Sequence, residues 1–112
     1  MKCAIPVVGG MVSPHFGHCE HFAIFEVDEK NGEVTGKELI PSPEHQPGLL
    51  PGWLAERGVA VVIAGGMGPR ALGLFQQNDI QVVIGSLETD PDKAVVSYIS
   101  GTLATGDNVC DH

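Results

Sequence analysis

The sequence predicts an α/β domain, a five-stranded mixed sheet in the order 3-2-1-4-5 with helices on its faces. Three strand-like stretches come first with no helical pattern between them, and they fold back on one another as an antiparallel meander. The later strands alternate with helical stretches, so they lie parallel to the first by right-handed crossovers. A chain of 112 residues that is 43 % hydrophobic is one domain, long enough to bury a core without disulfides or metal. Residues 1–101 form that domain and 102–112 a C-terminal tail.

Each element has its own signal. Lys2 to Val8 is a short apolar run ending at Gly9-Gly10 and reads as a buried strand, with Pro6 near its end. Ser13-Pro14 is a helix-start signal, and Gly17 keeps any turn there short. Phe22 to Asp28 is the second strand and Glu33 to Ile40 the third, joined by a connection containing Asn31-Gly32. Glu33, Lys37 and Glu38 mark that third strand as a protected edge. Pro41 to Gly48, with three prolines and His45, is a loop. A short helix from Pro51 to Arg57 follows, with Leu50, Trp53 and Leu54 apolar and Gly58 as its stop.

Val59 to Ala64 is a continuous apolar strand of the kind buried on both faces of a parallel sheet. Gly65-Gly66-Met67-Gly68-Pro69 turns into a helix with Ala71, Leu72 and Phe75 on its inner face, ending near Asn78. Ile80 to Ile84 is the last strand. Asp90-Pro91 opens the last helix, where Ala94, Val95, Tyr98 and Ile99 form one apolar stripe and Gly101 is the stop.

Composition removes several classes of function. Fourteen acidic residues against six basic ones give a net charge of −8, and the basic residues do not cluster. Nucleic-acid binding relies on lysine and arginine neutralising phosphates, so it is not expected. The longest apolar run is far shorter than the roughly 20 residues a membrane helix needs. With no signal-peptide layout at the N-terminus, a cytoplasmic protein is expected. Three cysteines without paired spacing point to free thiols or metal ligands.

The chemistry concentrates in Ser13-Pro14-His15-Phe16-Gly17-His18-Cys19-Glu20-His21. His15, His18, Cys19 and His21 fall within seven residues. Imidazole nitrogen and thiolate sulfur are the side-chain ligands that zinc, copper, iron and iron–sulfur clusters prefer. A helical turn starting at Ser13 would set His15, His18 and Cys19 at i, i+3 and i+4 on one face. The bland alternative is a set of surface or capping histidines with a buried Cys19.

Topology adds to this. The loop after the first strand, the loop after the third with His45, and the glycine turn after the fourth should emerge at one sheet edge. Open α/β sheets bind ligands at the carboxyl ends of their parallel strands. Gly65, Gly66 and Gly68 resemble an anion cradle at a helix start, with Met67 as a thioether candidate and Arg70 able to face an anion. No Gly-Lys-Ser/Thr follows, so the turn is not a P-loop. Cys110 and His112 are two further soft ligands in the tail. The last helix should deliver the chain to the opposite edge, but 11 residues span at most roughly 36 Å and could reach back. Cys3 reads as core. Gly-x-Ser-x-Gly and His-Glu-x-x-His are both absent, and the first and fourth strands carry no carboxylates for a two-metal site.

Ile5-Pro6-Val7, Ser13 to Cys19, Pro47-Gly48-Leu49-Leu50-Pro51, Val62 to Gly68 and Cys110-Asp111-His112 together resemble the dinitrogenase iron–molybdenum cofactor biosynthesis family. That family includes NifX-like proteins and the C-terminal domain of NifB-like proteins. The resemblance implies a ribonuclease-H-like fold. It also implies a non-enzymatic role, binding or carrying a metal–sulfur cofactor or its precursor (iron–sulfur, iron–molybdenum or molybdenum–copper in type). Its partners would be proteins that donate and accept the cluster.

Other functions stay open at this stage. One is a mononuclear zinc or copper protein for storage or sensing, which the negative charge favours. Another is an interaction module docking a partner through Phe16 and Trp53, and a third is a small enzyme using the glycine turn on a phosphorylated metabolite.

Overall fold

A computed structural model describes residues 1–14, 16, 19–43 and 49–106. In chain order its elements are β1 (Lys2–Val8), β2 (Met11–Val12), β3 (His21–Asp28), β4 (Glu33–Pro41), α1 (Leu49–Glu56), β5 (Val59–Ile63), α2 (Pro69–Gln77), β6 (Gln81–Val83) and α3 (Pro91–Ser100). Mixed sheet and helices alternate as expected of an α/β domain. The sheet has six strands, however, and the expectation of five is corrected. Its path runs β4-β3-β1-β5-β6, with β2 paired to β1 off that path. Counting β2 shifts every later strand number by one.

The sixth strand has a local cause. Gly9 and Gly10 both adopt positive φ, +58° and +79°, which only glycine reaches without strain. The chain therefore reverses at once, setting Val12 opposite Val7 and Met11 opposite Val8. A two-residue strand is too short to show any alternation of its own.

β1 is antiparallel to β3 and parallel to β5, and β4 is antiparallel to β3. Burial on both faces explains why β1 reads as an unbroken apolar run. Cys3, Ile5 and Val7 point to one face, where α3 covers them with Ala94 and Val95. Ala4 points to the other, among Leu54 of α1 and Phe75 of α2. β4 lies at the edge and is largely exposed. There Lys37 Nζ sits 3.1 Å from an Asp92 carboxylate oxygen on α3.

Helix boundaries follow backbone rules. α1 begins two residues before Pro51 rather than at it, because the N–H groups of a first helical turn have no partner and proline is tolerated there. α3 starts at Asp90, whose carboxylate accepts from the N–H groups of Asp92 and Lys93, and stops at Gly101 in the left-handed conformation. No helix among the described residues is long and apolar enough to cross a membrane.

Candidate functional site

Strand register brings three connections to one edge of the sheet. His21, the first residue of β3, lies opposite Val7 near the end of β1 and opposite Pro41 at the end of β4. β5 runs parallel to β1, so the glycine turn leaves from that edge as well.

Backbone hydrogen bonds tie the connections together. Phe16 N–H donates to Gly66 O at 3.0 Å, joining the His/Cys loop to the glycine turn. Ser42 N–H donates to Glu20 O at 2.9 Å, joining the loop to the exit of β4. Glu20 N–H in turn donates to Val7 O, and the Glu20 carboxylate accepts from Gly9 N–H at 2.9 Å. Ser13, read as a helix cap, is almost completely buried (1 % exposed), and its N–H donates to Pro6 O.

Phe16 anchors the loop. It is 5 % exposed and packs edge-on against Phe75, with ring centroids 5.2 Å apart, and against Phe22 at 5.7 Å. Sequence reasoning offered Phe16 as a residue that could dock a partner; in the structure its ring belongs to the core. Trp53 is half-buried, sandwiched between Phe22 and the Arg57 guanidinium 3.8 Å from its ring.

Cys19 is half-buried against the α1–α2 side of the core, and its thiol donates to Ser42 Oγ at 3.8 Å. Burial pushes this thiol upward from the usual cysteine range, with the Ser42 hydroxyl opposing in part. A thiol held protonated in this way can still ligate, because a metal ion displaces its proton on binding. His21 is also half-buried, but its register with Val7 turns it to the α3 face of the sheet. The structure therefore does not bring His21 and Cys19 together on one face. His15, His18, His45, Cys110 and His112 lie outside the described residues, as does the turn expected to align His15 and His18 with Cys19. Among the described residues no group of three or more His, Cys, Asp or Glu side chains could hold a metal ion.

The glycine turn owes part of its composition to crowding. A Cβ on Gly65 would stand 3.0 Å from Pro14 Cα and 3.1 Å from Ser13 O. Gly66 is buried, and Met67 is 1 % exposed within the core cluster under α1 and α2, so its thioether is a packing group. Gly68 is the extended N-cap of α2, with open space where a Cβ would be, and Arg70 is exposed in the first turn of that helix. Of the expected cradle, Gly68 and Arg70 face open space and Gly65 and Met67 do not.

Sequence reasoning missed Ser42, Gly85 and Gly106. Ser42 partners Cys19. Gly106 N–H donates to Gly85 O at 2.6 Å, returning the chain after α3 to the glycine-turn edge. The expectation that this helix leaves the tail at the opposite edge holds only as far as the helix itself. Paired glycines far apart in sequence were the one available signal.

Comparison with known proteins agrees with this architecture. The family model described as dinitrogenase iron-molybdenum cofactor matches residues 1–101. The uncharacterized protein MJ0580 of Methanocaldococcus jannaschii is similar at 35 % identity over 108 residues, which is 92 % of this chain and 89 % of that protein. The crystal structure of PH0822 superposes with a TM-score of 0.86 at 28 % identity, covering 94 % of each chain. A second protein of M. jannaschii, provisionally named a dinitrogenase, shares the fold, with a TM-score of 0.76 at 23 % identity over 96 % of each chain. The chain belongs to the dinitrogenase iron-molybdenum cofactor family.

Proposed function

We propose that this protein binds and carries a metal–sulfur cofactor or its precursor and has no catalytic activity of its own. Family membership supports an accessory role related to the iron–molybdenum cofactor. The observation that carries the proposal further is the convergence at the carboxyl edge. There the loop containing Cys19 is hydrogen-bonded both to the glycine turn and to the exit of β4. In this reading His15, His18 and Cys19, with His45 from the neighbouring loop, ligate the cargo. His21 is a weaker member because its register turns it to the other face. We assign the sheet, with β3 antiparallel to its neighbours and β5 and β6 parallel to β1, to the ribonuclease-H-like motif.

The donor set suits the cargo. Thiolate and imidazole are soft to borderline ligands, suited to iron, copper and zinc. A metal–sulfur cluster is usually anionic and this chain carries −8, so local compensation is required. Arg70, exposed in the first turn of α2, and the positive end of that helix supply it. Proteins that donate and accept the cluster would be its partners.

A second reading, a mononuclear zinc or copper protein using the same ligands, is favoured by the net charge, because a simple cation needs no compensation. Anaerobic reconstitution with iron and sulfide separates the two. Cluster-type visible absorption in the wild type, lost in a His15→Ala/Cys19→Ala variant, supports the carrier. An unchanged spectrum in that variant would refute it.

A further inference from the structure

Ser42 joins the exit of β4 to Cys19 and Glu20 at two points. Its N–H donates to Glu20 O at 2.9 Å, and its hydroxyl oxygen accepts from the Cys19 thiol at 3.8 Å. From the other side, Glu20 N–H donates to Val7 O, and the Glu20 carboxylate accepts from Gly9 N–H at 2.9 Å. The end of β1 and the exit of β4 therefore hold the Cys19–Glu20 pair between them. Of these four contacts only the hydroxyl reaches the sulfur.

That hydroxyl is delivered from a stiff piece of backbone. Ser42 lies between Pro41 and Pro43. Pro41 is the last residue of β4, opposite His21, and its ring fixes its φ. Pro43 keeps the residue before it extended. With its N–H bonded as well, Ser42 has little backbone freedom left, so holding its side chain against the sulfur costs little further entropy. None of this backbone geometry calls for serine. The bond to Glu20 uses a main-chain N–H, which any residue but proline supplies. What serine adds here is a hydroxyl at the sulfur of Cys19.

A hydroxyl both donates and accepts. Against the thiol of the metal-free protein it accepts from S–H. Against a metal-bound thiolate, which has no proton to offer, it turns to donate O–H to the sulfur, and the oxygen stays where it is. Rotation about χ1 gives a cysteine three staggered positions. A side chain already held in one of them loses less freedom on binding.

We propose that Ser42 is a positioning residue for Cys19: its hydroxyl fixes where the sulfur points before a metal arrives and hydrogen-bonds that sulfur once the metal is bound. Ser42 itself ligates nothing. The second half of this role rests on the carrier reading; the first half does not.

Two measurements on the full chain test the halves separately. In the metal-free protein, the Hα–Hβ couplings of Cys19, read by NMR, report its χ1. The wild type and Ser42→Thr, which keeps the hydroxyl, should show the couplings of one rotamer. Ser42→Ala should show rotamer-averaged couplings. Averaged couplings in the wild type, or a single rotamer kept in Ser42→Ala, would overturn the proposal.

The second measurement uses cobalt(II) alone as the probe. A thiolate-to-cobalt band lost in Cys19→Ala marks that sulfur as a ligand. In Ser42→Ala the band should move to longer wavelength, because a thiolate relieved of its hydrogen bond gives up charge more readily. Cobalt affinity should weaken about tenfold or more in the same variant, and Ser42→Thr should restore both. A band unmoved in Ser42→Ala would overturn the role of Ser42 and leave the carrier reading standing. A wild-type protein with no Cys19-dependent band would overturn both.

Discussion

Phe16→Ala tests how the His/Cys loop is held. Phe16 sits between His15 and Gly17 in sequence, yet its ring is 5 % exposed and touches Phe22 and Phe75. Replacing a buried phenylalanine by alanine costs about 3–5 kcal/mol, through lost transfer energy and the cavity left behind. Two aromatic contacts at about 0.5–1.5 kcal/mol each account for part of that. A domain of this size has about 5–15 kcal/mol in total, so the loss is a third or more of a typical value. It corresponds to a fall in melting temperature of roughly 12–20 °C.

Urea unfolding at neutral pH, extrapolated to water, measures the effect. A Phe16/Phe75 double-mutant cycle should give a coupling of about 1 kcal/mol. Iron uptake on reconstitution should weaken in the Phe16→Leu variant as well, even where the fold survives, because the ring fixes where the loop starts. A loss below about 0.5 kcal/mol for Phe16→Ala would refute the reasoning, since that is the range of a surface substitution.

Other consequences are smaller in scope. Burial raises the Cys3 thiol from 9.0 to about 12; the unfolded chain therefore releases that proton first, and stability should fall as pH rises from 9 towards 12, by up to about 1.4 kcal/mol per unit. Alkaline urea titrations should show this slope in the wild type and a flatter one in Cys3→Ala. Asp90→Ala removes the carboxylate that caps α3 and should cost about 1 kcal/mol. Lys37→Ala should change stability by less than about 1 kcal/mol, because the Lys37–Asp92 pair is exposed on both sides. Gly65→Ala, with backbone atoms of Pro14 and Ser13 at 3.0 and 3.1 Å from the new Cβ, should cost about 1–3 kcal/mol and loosen the His/Cys loop.

Most of the architecture was legible because the signals were local. Proline at the start of α2 and α3, Gly58 and Gly101 after α1 and α3, and the unbroken apolar run of β5 fixed elements and type. Charge on Glu33, Lys37 and Glu38 marked the edge strand that β4 proves to be. What was not legible depended on long-range contacts. The two-residue β2 exists because a Gly-Gly reversal finds β1 to pair with. Phe16 reads as a docking residue because its own loop is polar on either side, and its burial depends on Phe22 across the loop and on Phe75, far away in sequence.

At the site, the convergence of three loops followed from strand directions alone. The split between Cys19 and His21 did not, because it needs the β1–β3 register. The return of the chain after α3 to Gly85 needs a backbone pairing that no apolar pattern announces.

The most direct test of the central claim is elemental analysis with acid-labile sulfide, on protein purified without oxygen and reconstituted with iron, molybdenum or copper together with sulfide. The carrier account expects metal and sulfide bound together in the wild type, and neither above background in His15→Ala/Cys19→Ala. One zinc per chain without sulfide, or equal cluster content in the double variant, would contradict it.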